Sequence, residues 1–266
     1  MLDRYNRNIN YLRISVTDRC NLRCIYCMPE EGIKLIDHKD ILSFEEITEF
    51  TTCAVKLGID KVRITGGEPL ARKGVVELIK MLARVNGIKD FSMTTNAILL
   101  SKYAKELKKA GLHRVNVSLD TVDNEKYKEI TRGGDITEVF LGIAEAKKAG
   151  LLPIKINCVI KKSIDEPEAV SVKKYCDENG LTARFIYEMD IEKGKFGIVH
   201  GGSGGDCINC NKLRLTSDGF LKPCLFSDIS INIRSVNYME ALRLMIDDKP
   251  ECGINSTTHK FYNIGG

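Results

Sequence analysis

Three cysteines crowded into eight residues, Cys20-Asn-Leu-Arg-Cys24-Ile-Tyr-Cys27, constrain this chain more than any other feature. They form a C-x3-C-x2-C loop directly after a strand-like run, 11–16. A [4Fe–4S] cluster held entirely by protein takes four cysteines. The next one, Cys53, falls in a helix-like stretch. The simplest reading is a cluster held at three irons with the fourth open to a ligand, which makes it a place for chemistry and not only for electron storage. The same thiols could be most of a zinc site, although structural zinc takes four protein ligands. Disulfides fit poorly, because the spacing is tight and residues 1–7 do not resemble a secretory segment.

The chain has 266 residues, 43% of them hydrophobic, enough for one large domain or two small ones. With 40 basic and 36 acidic residues, the net charge of +4 is too mild to argue for nucleic acid. No apolar run approaches the ~20 residues that span a bilayer. A soluble, cytoplasmic protein is therefore expected, with no membrane and no nucleic-acid partner. Of the ten cysteines, six form two groups of three: Cys20, Cys24 and Cys27, then Cys207, Cys210 and Cys224. Cys53, Cys158, Cys176 and Cys252 stand alone and read as incidental thiols. His38, His113, His200 and His259 have no metal spacing.

From residue 11 to about 188 the pattern alternates. Strands are predicted at 12–16, 61–65, 90–95, 114–119, 153–159 and 182–188, with amphipathic helices at 44–57, 74–85, 101–110, 137–149 and 166–179. Ser43 with Glu46 reads as a capping box, and Gly58, Gly111, Gly150 and Gly180 sit at helix C-caps. Such repeats imply parallel strands with right-handed crossovers, here a curved, partly closed (βα)6 barrel. Functional loops then belong at the C-terminal strand ends: Cys20–Cys27 after the first strand, Gly66-Gly67-Glu68-Pro69 after the second, and Thr94, Ser118, Lys155, Asn157, Arg184 and Met189 at the later ones. Residues 191–206 are glycine-rich and read as a flexible connection. Beyond it, Ser217-Asp218-Gly219 marks a hairpin that returns Cys224 towards Cys207 and Cys210, and 238–247 reads as a helix. The expected division is 1–190, 191–206 and 207–266.

Taken together, C-x3-C-x2-C after a first strand and Gly66-Gly67-Glu68-Pro69 after the second resemble the radical S-adenosylmethionine (SAM) superfamily. Ser15–Pro29, Arg63–Leu70, Arg184-Phe-Ile, the C-x2-C-x13-C run from Cys207 to Cys224 and the Gly-Gly end are similar to one branch of it, the GTP 3′,8-cyclases of molybdenum-cofactor biosynthesis. The resemblance implies an α/β fold of the radical SAM partial-barrel type with a C-terminal auxiliary-cluster region, two [4Fe–4S] clusters and SAM as cofactor. The reaction it implies is a lyase-type cyclisation, GTP to 3′,8-cyclo-7,8-dihydro-GTP, in which a 5′-deoxyadenosyl radical takes hydrogen from ribose C3′. As partners it implies a flavodoxin- or ferredoxin-like electron donor and the downstream pyranopterin phosphate synthase; the chain would act as a monomer or homodimer.

By position, the resemblance makes Cys20, Cys24 and Cys27 the ligands of the SAM cluster and Cys207, Cys210 and Cys224 those of the second. Tyr26, Gly67, Ser118 and Met189 match SAM contacts. Arg13, Arg63, Thr94, Lys155, Lys212 and Arg214 match GTP contacts, with Arg184 a further basic candidate. Arg214 and the terminal Gly265 and Gly266 match catalytic positions, the glycines as a tail that enters the active site. Arg23 and Arg72 read as added positive charge. A basic residue at a strand end is more often a solvated charge than a ligand, but five converging on one mouth suit a triphosphate, which arginine grips with paired donors. Three departures stand out. Lys212 replaces the usual Arg, Ala97 replaces the Gly after Thr-Thr-Asn, and the stretch before Cys207 is short. A radical SAM enzyme acting on a peptide or another small molecule, and a non-catalytic nucleotide-binding iron–sulfur paralogue, are the rival readings.

Overall fold

A computed structural model of the chain describes residues 1–258 and Ile264. Six parallel strands, β1 (Tyr11–Ser15), β2 (Lys61–Thr65), β3 (Asp90–Thr95), β4 (Arg114–Ser118), β5 (Lys155–Ile160) and β6 (Thr182–Tyr187), lie side by side in chain order. Between them run α1 (Phe44–Lys56), α2 (Val75–Ala83), α3 (Leu100–Lys109), α4 (Asn124–Thr131), α5 (Ile136–Lys148) and α6 (Pro167–Asn179). These are the long connections that parallel neighbours require. The sheet does not close. β6 ends one side, and on the other β7 (Lys212–Leu215) pairs parallel with β1, followed by the antiparallel β8 (Phe220–Lys222) and β9 (Ile231–Asn232). α7 (Tyr238–Asp247) packs on α1 and β8.

Alternation along the strands divides the core from the site. Leu12, Ile14, Val62, Ile64, Val115, Val117, Ile156, Leu213 and Leu215 are fully buried in one continuous core with Ile47, Phe50, Leu78, Leu107, Val139, Val172, Leu242 and Ile246 of the helices. The intervening residues face the barrel interior and are polar or charged: Tyr11, Arg13, Lys61, Arg63, Arg114, Lys155, Asn157, Arg184, Lys212 and Arg214. With a period of two, the strand that buries its apolar set under the helices must turn its charges inward. The core is thus the layer between sheet and helices, and the interior is left for a ligand.

The expected elements appear with shifts of one or two residues. Ser43 Oγ accepts from Glu46 N at 3.1 Å while Ser43 N donates to Glu46 Oε2 at 2.7 Å, the expected capping box. α4 and β9 were not expected; both are short, and α4 has only two buried residues, Tyr127 and Thr131. Ala97 adopts φ 65°, which explains why glycine suits that position. Arg72 is a clamp and does not face the interior. It donates to the carbonyls of Val16 and Leu42 at 2.7 and 2.6 Å and lies 4.3 Å over the Phe44 ring. Arg23 likewise donates to the carbonyls of Cys20 and Leu22 within its own loop.

The glycine-rich connection is packed, contrary to its reading as a flexible link. His200 exchanges both backbone hydrogen bonds with Phe185 of β6 at 3.1 and 3.0 Å, and Asp190 does the same with Lys195. A Cβ on Gly205, whose φ is 75°, would fall 2.0 Å from the carbonyl oxygen of Gly197, and one on Gly197 would fall 2.7 Å from the Tyr187 ring. The glycines let the chain fold onto itself beside β6. Gly180, also left-handed at φ 66°, has open space around it. Gly180→Ala is therefore expected to cost the ~1–2 kcal/mol of a left-handed L-residue. Gly205→Ala is expected to cost about 1–3 kcal/mol more, from forced overpacking. Denaturant unfolding midpoints of the two variants check this; equal shifts would mean that the connection is loose.

Candidate active site

The Cys20–Cys27 loop is held from three sides. Gly67 N donates to the Thr17 carbonyl at 2.7 Å and Glu68 N to the Arg19 carbonyl at 2.8 Å. A Cβ on Gly67 would meet the Arg19 carbonyl oxygen at 2.3 Å. The glycine is thus required by backbone-to-backbone packing against the start of the cysteine loop. The Glu68 carboxylate is buried and accepts from Leu70 N (3.0 Å), Thr95 Oγ1 (2.8 Å) and Asn96 N (2.7 Å). Burial raises its pKa from the usual 4.5 to about 7, against those three hydrogen bonds. Asn96 in turn donates to Asn21 Oδ1 at 2.8 Å and approaches Cys20 Sγ at 3.8 Å. On the third side, Tyr26 Oη donates to Asp120 Oδ2 at 2.6 Å, and Asp120 Oδ1 accepts from Val159 N at 2.7 Å. The loop is pinned to β2, β3, β4 and β5 at their C-terminal ends.

Burial pushes the Cys24 thiol up to about 12 and Cys27 to about 11, with Asp120 and the neighbouring thiols adding to the effect. Thiols so placed gain most from a cation that stabilises their charge. A cavity beside the loop is lined by Ile25, Tyr26, Cys27, Met28 and Pro29 on one wall and by 188–193 and Lys195 on the other.

A second cavity, of about 340 Å³, opens inside the barrel. Its wall carries a row of arginines in register: Arg214 of β7 opposite Arg13 of β1, and Arg13 opposite Arg63 of β2. Lys155 and Arg184 close the row on β5 and β6. Against eight basic side chains, the described lining contains two carboxylates, Asp90 and Asp206. Asp90 is already engaged by Arg114 through a bidentate pair at 3.0 and 2.7 Å. Like charges side by side on neighbouring strands repel. Burial, then Arg214 and Arg184, brings Arg13 down to about 10; burial, then Arg13 and Arg114, brings Arg63 to about 9. Burial, then Arg13 and Arg214, lowers Lys212 to about 8. Such a surface is stabilised by a polyanion. The 197–205 loop forms its rim: Arg184 Nε donates to the Gly201 carbonyl at 3.1 Å and Lys212 Nζ to the Ser203 carbonyl at 3.0 Å.

Cys207, Cys210 and Cys224 line the same cavity. Backbone N–H groups of Gly253, Lys212 and Phe226 donate to their respective sulfurs. Cys210 is held below its usual pKa by Lys249 and Lys212 in spite of burial. N–H donors and cations around thiolates are the surroundings that hold iron–sulfur clusters. Among the described residues, no three His, Cys, Asp or Glu side chains converge closely enough to hold one metal ion. A cubane offers each thiolate a different iron, so its ligands need not converge on one point. Both triplets fit a [4Fe–4S] cluster held at three irons.

The structure thus brings Arg13, Arg63, Lys155, Arg184, Lys212 and Arg214 together with Cys207, Cys210 and Cys224 around one cavity, and Tyr26 and Cys27 around the other. Met189 lines both. Gly67, Ser118 and Thr94 line neither cavity; Thr94 Oγ1 is buried in β3 without a hydrogen-bond partner. Gly265 and Gly266 lie outside the described residues, but Ile264 beside them is buried with Ile191, Leu225 and Phe226, and Met189, Phe196 and Cys224 pack on that group. Sequence reasoning placed Glu68 and Asp120 at the functional strand ends without giving them roles, and gave none to Asp90, Arg114, Lys249 and Cys252. Cys252, read as standing alone, has its Sγ 2.9 Å from that of Cys207. A carboxylate that braces a loop from another strand leaves no local pattern.

Comparison with known proteins agrees with this geometry. Residues 14–174 match the model of the radical SAM superfamily, and residues 159–247 match that of Molybdenum Cofactor Synthesis C. The GTP 3′,8-cyclase of Thermodesulfovibrio yellowstonii is 45% identical over 282 residues, which cover 89% of this chain and 88% of that one. The enzyme of the same name from Alkaliphilus oremlandii is 43% identical, covering 94% and 93%. That of Listeria monocytogenes is 40% identical, covering 94% and 90%. Among solved structures, Streptococcus suis SuiB bound to S-adenosylmethionine superimposes with a TM-score of 0.66 at 17% identity, over 91% of this chain and 64% of that one. Native anSMEcpe with bound AdoMet gives 0.66 at 17%, over 91% and 81%. At such identities these two establish the shared fold alone.

Glu68 generates a pH prediction. Folded, it keeps its proton up to about pH 7; unfolded, it gives it up near 4.5. Between those values the native state binds the extra proton, so stability falls as pH rises from 4.5 to 7. Glu68→Gln is expected to flatten that part of the curve, measured as the denaturant midpoint against pH; an unchanged slope would contradict the assignment.

Proposed function

The chain belongs to the GTP 3′,8-cyclase branch of the radical SAM superfamily, and we propose that its two cavities divide the reaction between them, SAM beside Cys20, Cys24 and Cys27 and GTP beside Cys207, Cys210 and Cys224. The activity is the conversion of GTP to 3′,8-cyclo-7,8-dihydro-GTP, the first step of molybdenum-cofactor biosynthesis. The observation that carries the division is the in-register row Arg214–Arg13–Arg63, set beside the second thiol triplet in one cavity. When bound, the two clusters and SAM supply reductive cleavage of the sulfonium to a 5′-deoxyadenosyl radical and an open iron for the guanine base.

The chain's own residues bind, orient and shield. Arg13, Arg63, Arg214, Lys155, Arg184 and Lys212 take the triphosphate, the arginines by paired donors and the lysines as point charges. Thr94 on β3 is a further proposed GTP contact, from outside the cavity lining, with a buried hydroxyl that has no protein hydrogen-bond partner. Tyr26 and Met189 line the SAM side, where Tyr26 is fixed by Asp120, and Gly67 and Ser118 are assigned to it from outside that lining, Gly67 by holding the start of the cysteine loop. Met189, which lines both cavities, sets the separation across which hydrogen is taken from the ribose. Ile264 is buried with Ile191, Leu225 and Phe226, and Cys224 and Met189 pack on that group; Gly265 and Gly266, outside the described residues, are assigned to catalysis as a tail without side chains.

Residues 1–190 make the SAM-activating barrel, 191–206 the rim, and 207–266 the auxiliary-cluster region. Ten cysteines without a disulfide among them suit a reducing cytoplasm, and no described helix is long and apolar enough to cross a membrane. Electrons come from a flavodoxin- or ferredoxin-like donor, and the product passes to the pyranopterin phosphate synthase.

The test is anaerobic incubation of reconstituted protein with SAM, dithionite and GTP. Equal yields of 5′-deoxyadenosine and cyclised nucleotide are expected. Deoxyadenosine without GTP consumption would contradict the reading and favour another substrate. Arg214→Ala removes one charge-assisted phosphate contact and should raise KM for GTP about 10- to 100-fold, matching ~1.5–3 kcal/mol.

A further inference from the structure

Tyr11 opens β1 and, like Arg13 two residues on, lines the cavity inside the barrel. It is 8% exposed, yet among the described residues it stands outside the continuous apolar core, in which Leu12 and Ile14 of the same strand take part. Its hydroxyl is buried without a hydrogen-bond partner. A buried hydroxyl left unpaired costs stability, so neither core packing nor hydrogen bonding accounts for a tyrosine at this position. What surrounds the ring is charge. β1 lies between β2 and β7, with Tyr11 opposite Lys61 on one side and Lys212 on the other. Arg63 Cζ lies 5.2 Å from the ring centroid and Lys212 Nζ 6.0 Å from it. One ring thus meets cations from both neighbouring strands.

We infer that Tyr11 is a positioning residue for the phosphate chain, its ring holding Arg63 and Lys212 in place on either side of β1. The inference rests on the reading of this cavity as the triphosphate site. An aromatic face carries the negative side of a quadrupole and attracts a cation lying over it, more strongly where water is excluded. Arg63 is itself 8% exposed. Among the described residues, the hydrogen bonds of the two cations go to neutral groups, Arg63 Nε to Ser92 Oγ at 3.3 Å and Lys212 Nζ to the Ser203 carbonyl at 3.0 Å. The ring adds attraction without adding a negative charge. The cations are therefore held but not neutralised, and their charge remains for phosphate. Without the ring, both long side chains regain rotamer freedom, and ordering them on a ligand costs affinity. Tyr11 acts through these cations and not on the reacting atoms, so binding should change while kcat does not.

The test is binding of inorganic tripolyphosphate to the reconstituted, anaerobic protein by titration calorimetry, with KM and kcat for GTP measured alongside. Tyr11→Phe keeps the ring and is expected to bind within about twofold of the natural chain. Tyr11→Leu stays apolar but has no ring. It is expected to bind about 10-fold more weakly, with KM for GTP raised by a similar factor and kcat unchanged. A Tyr11→Leu chain that binds as tightly as Tyr11→Phe would overturn the inference. Should Tyr11→Leu fail to fold, fluorinated phenylalanines in place of Tyr11 decide. Each added fluorine weakens the negative ring face with little change of shape, so affinity should step down from Tyr11→Phe through the mono-, di- and trifluoro forms, by about 10-fold in all. Equal affinity across that series would overturn the inference and leave the triphosphate reading intact. A natural chain that does not bind tripolyphosphate would overturn that reading, and the inference with it.

Discussion

β7 pairs with β1 in parallel, residue for residue from Tyr11 with Lys212 to Ile14 with Leu215. Most of what the site can do follows from that register. β1 runs into the first cysteine loop, and β7 lies between Cys210 and the hairpin that returns Cys224. One pairing therefore delivers both triplets to one barrel. It also places Arg214 directly beside Arg13, and hence in line with Arg63 on β2. A slip of one residue would turn Lys212 and Arg214 into the helix-covered core and bring Leu213 and Leu215 into the cavity. The fully buried Leu213 and Leu215 thus fix the direction of the arginines they alternate with.

The electrostatics follow from the same geometry. Inward-facing cations with few carboxylates among them are unfavourable without a partner, and burial already pulls Arg13, Arg63 and Lys212 below their ordinary values. Where the fold requires a fixed charge it supplies a mate: Arg114 has Asp90, and Arg7 has Asp3. The described lining of the arginine row is rich in cations and poor in carboxylates, which suits a polyanion. Around the thiols the logic is similar but local, with backbone N–H donors and Lys249 favouring the charged sulfurs.

Much of this was legible in the sequence because it is written in short-range patterns. The cysteine spacings, the capping box at Ser43, the strand ends and helix α7 each depend on neighbours a few residues apart. The strands were also readable because their alternation is strong. What escaped depends on which distant elements meet. Asp120 bracing Tyr26, Glu68 bracing Asn96, and Cys252 meeting Cys207 are contacts between loops that only the barrel brings together. The glycine-rich stretch misled for a related reason: glycine permits looseness and tight packing alike, and only the neighbouring atoms decide which. Arg72 misled because arginine serves as readily to bind carbonyls as to bind anions, whereas Arg23, bound to the Cys20 carbonyl, does add positive charge beside the Cys20 thiol.

The central claim is that the interior cations form a triphosphate site beside the second thiol triplet. It is tested most directly by equilibrium binding of GTP, GDP, GMP and guanosine to the anaerobic, cluster-loaded protein at several salt concentrations. The account predicts that affinity climbs with each added phosphate and that the GTP constant weakens steadily as salt rises. Guanosine binding as tightly as GTP, with no response to salt, would contradict it.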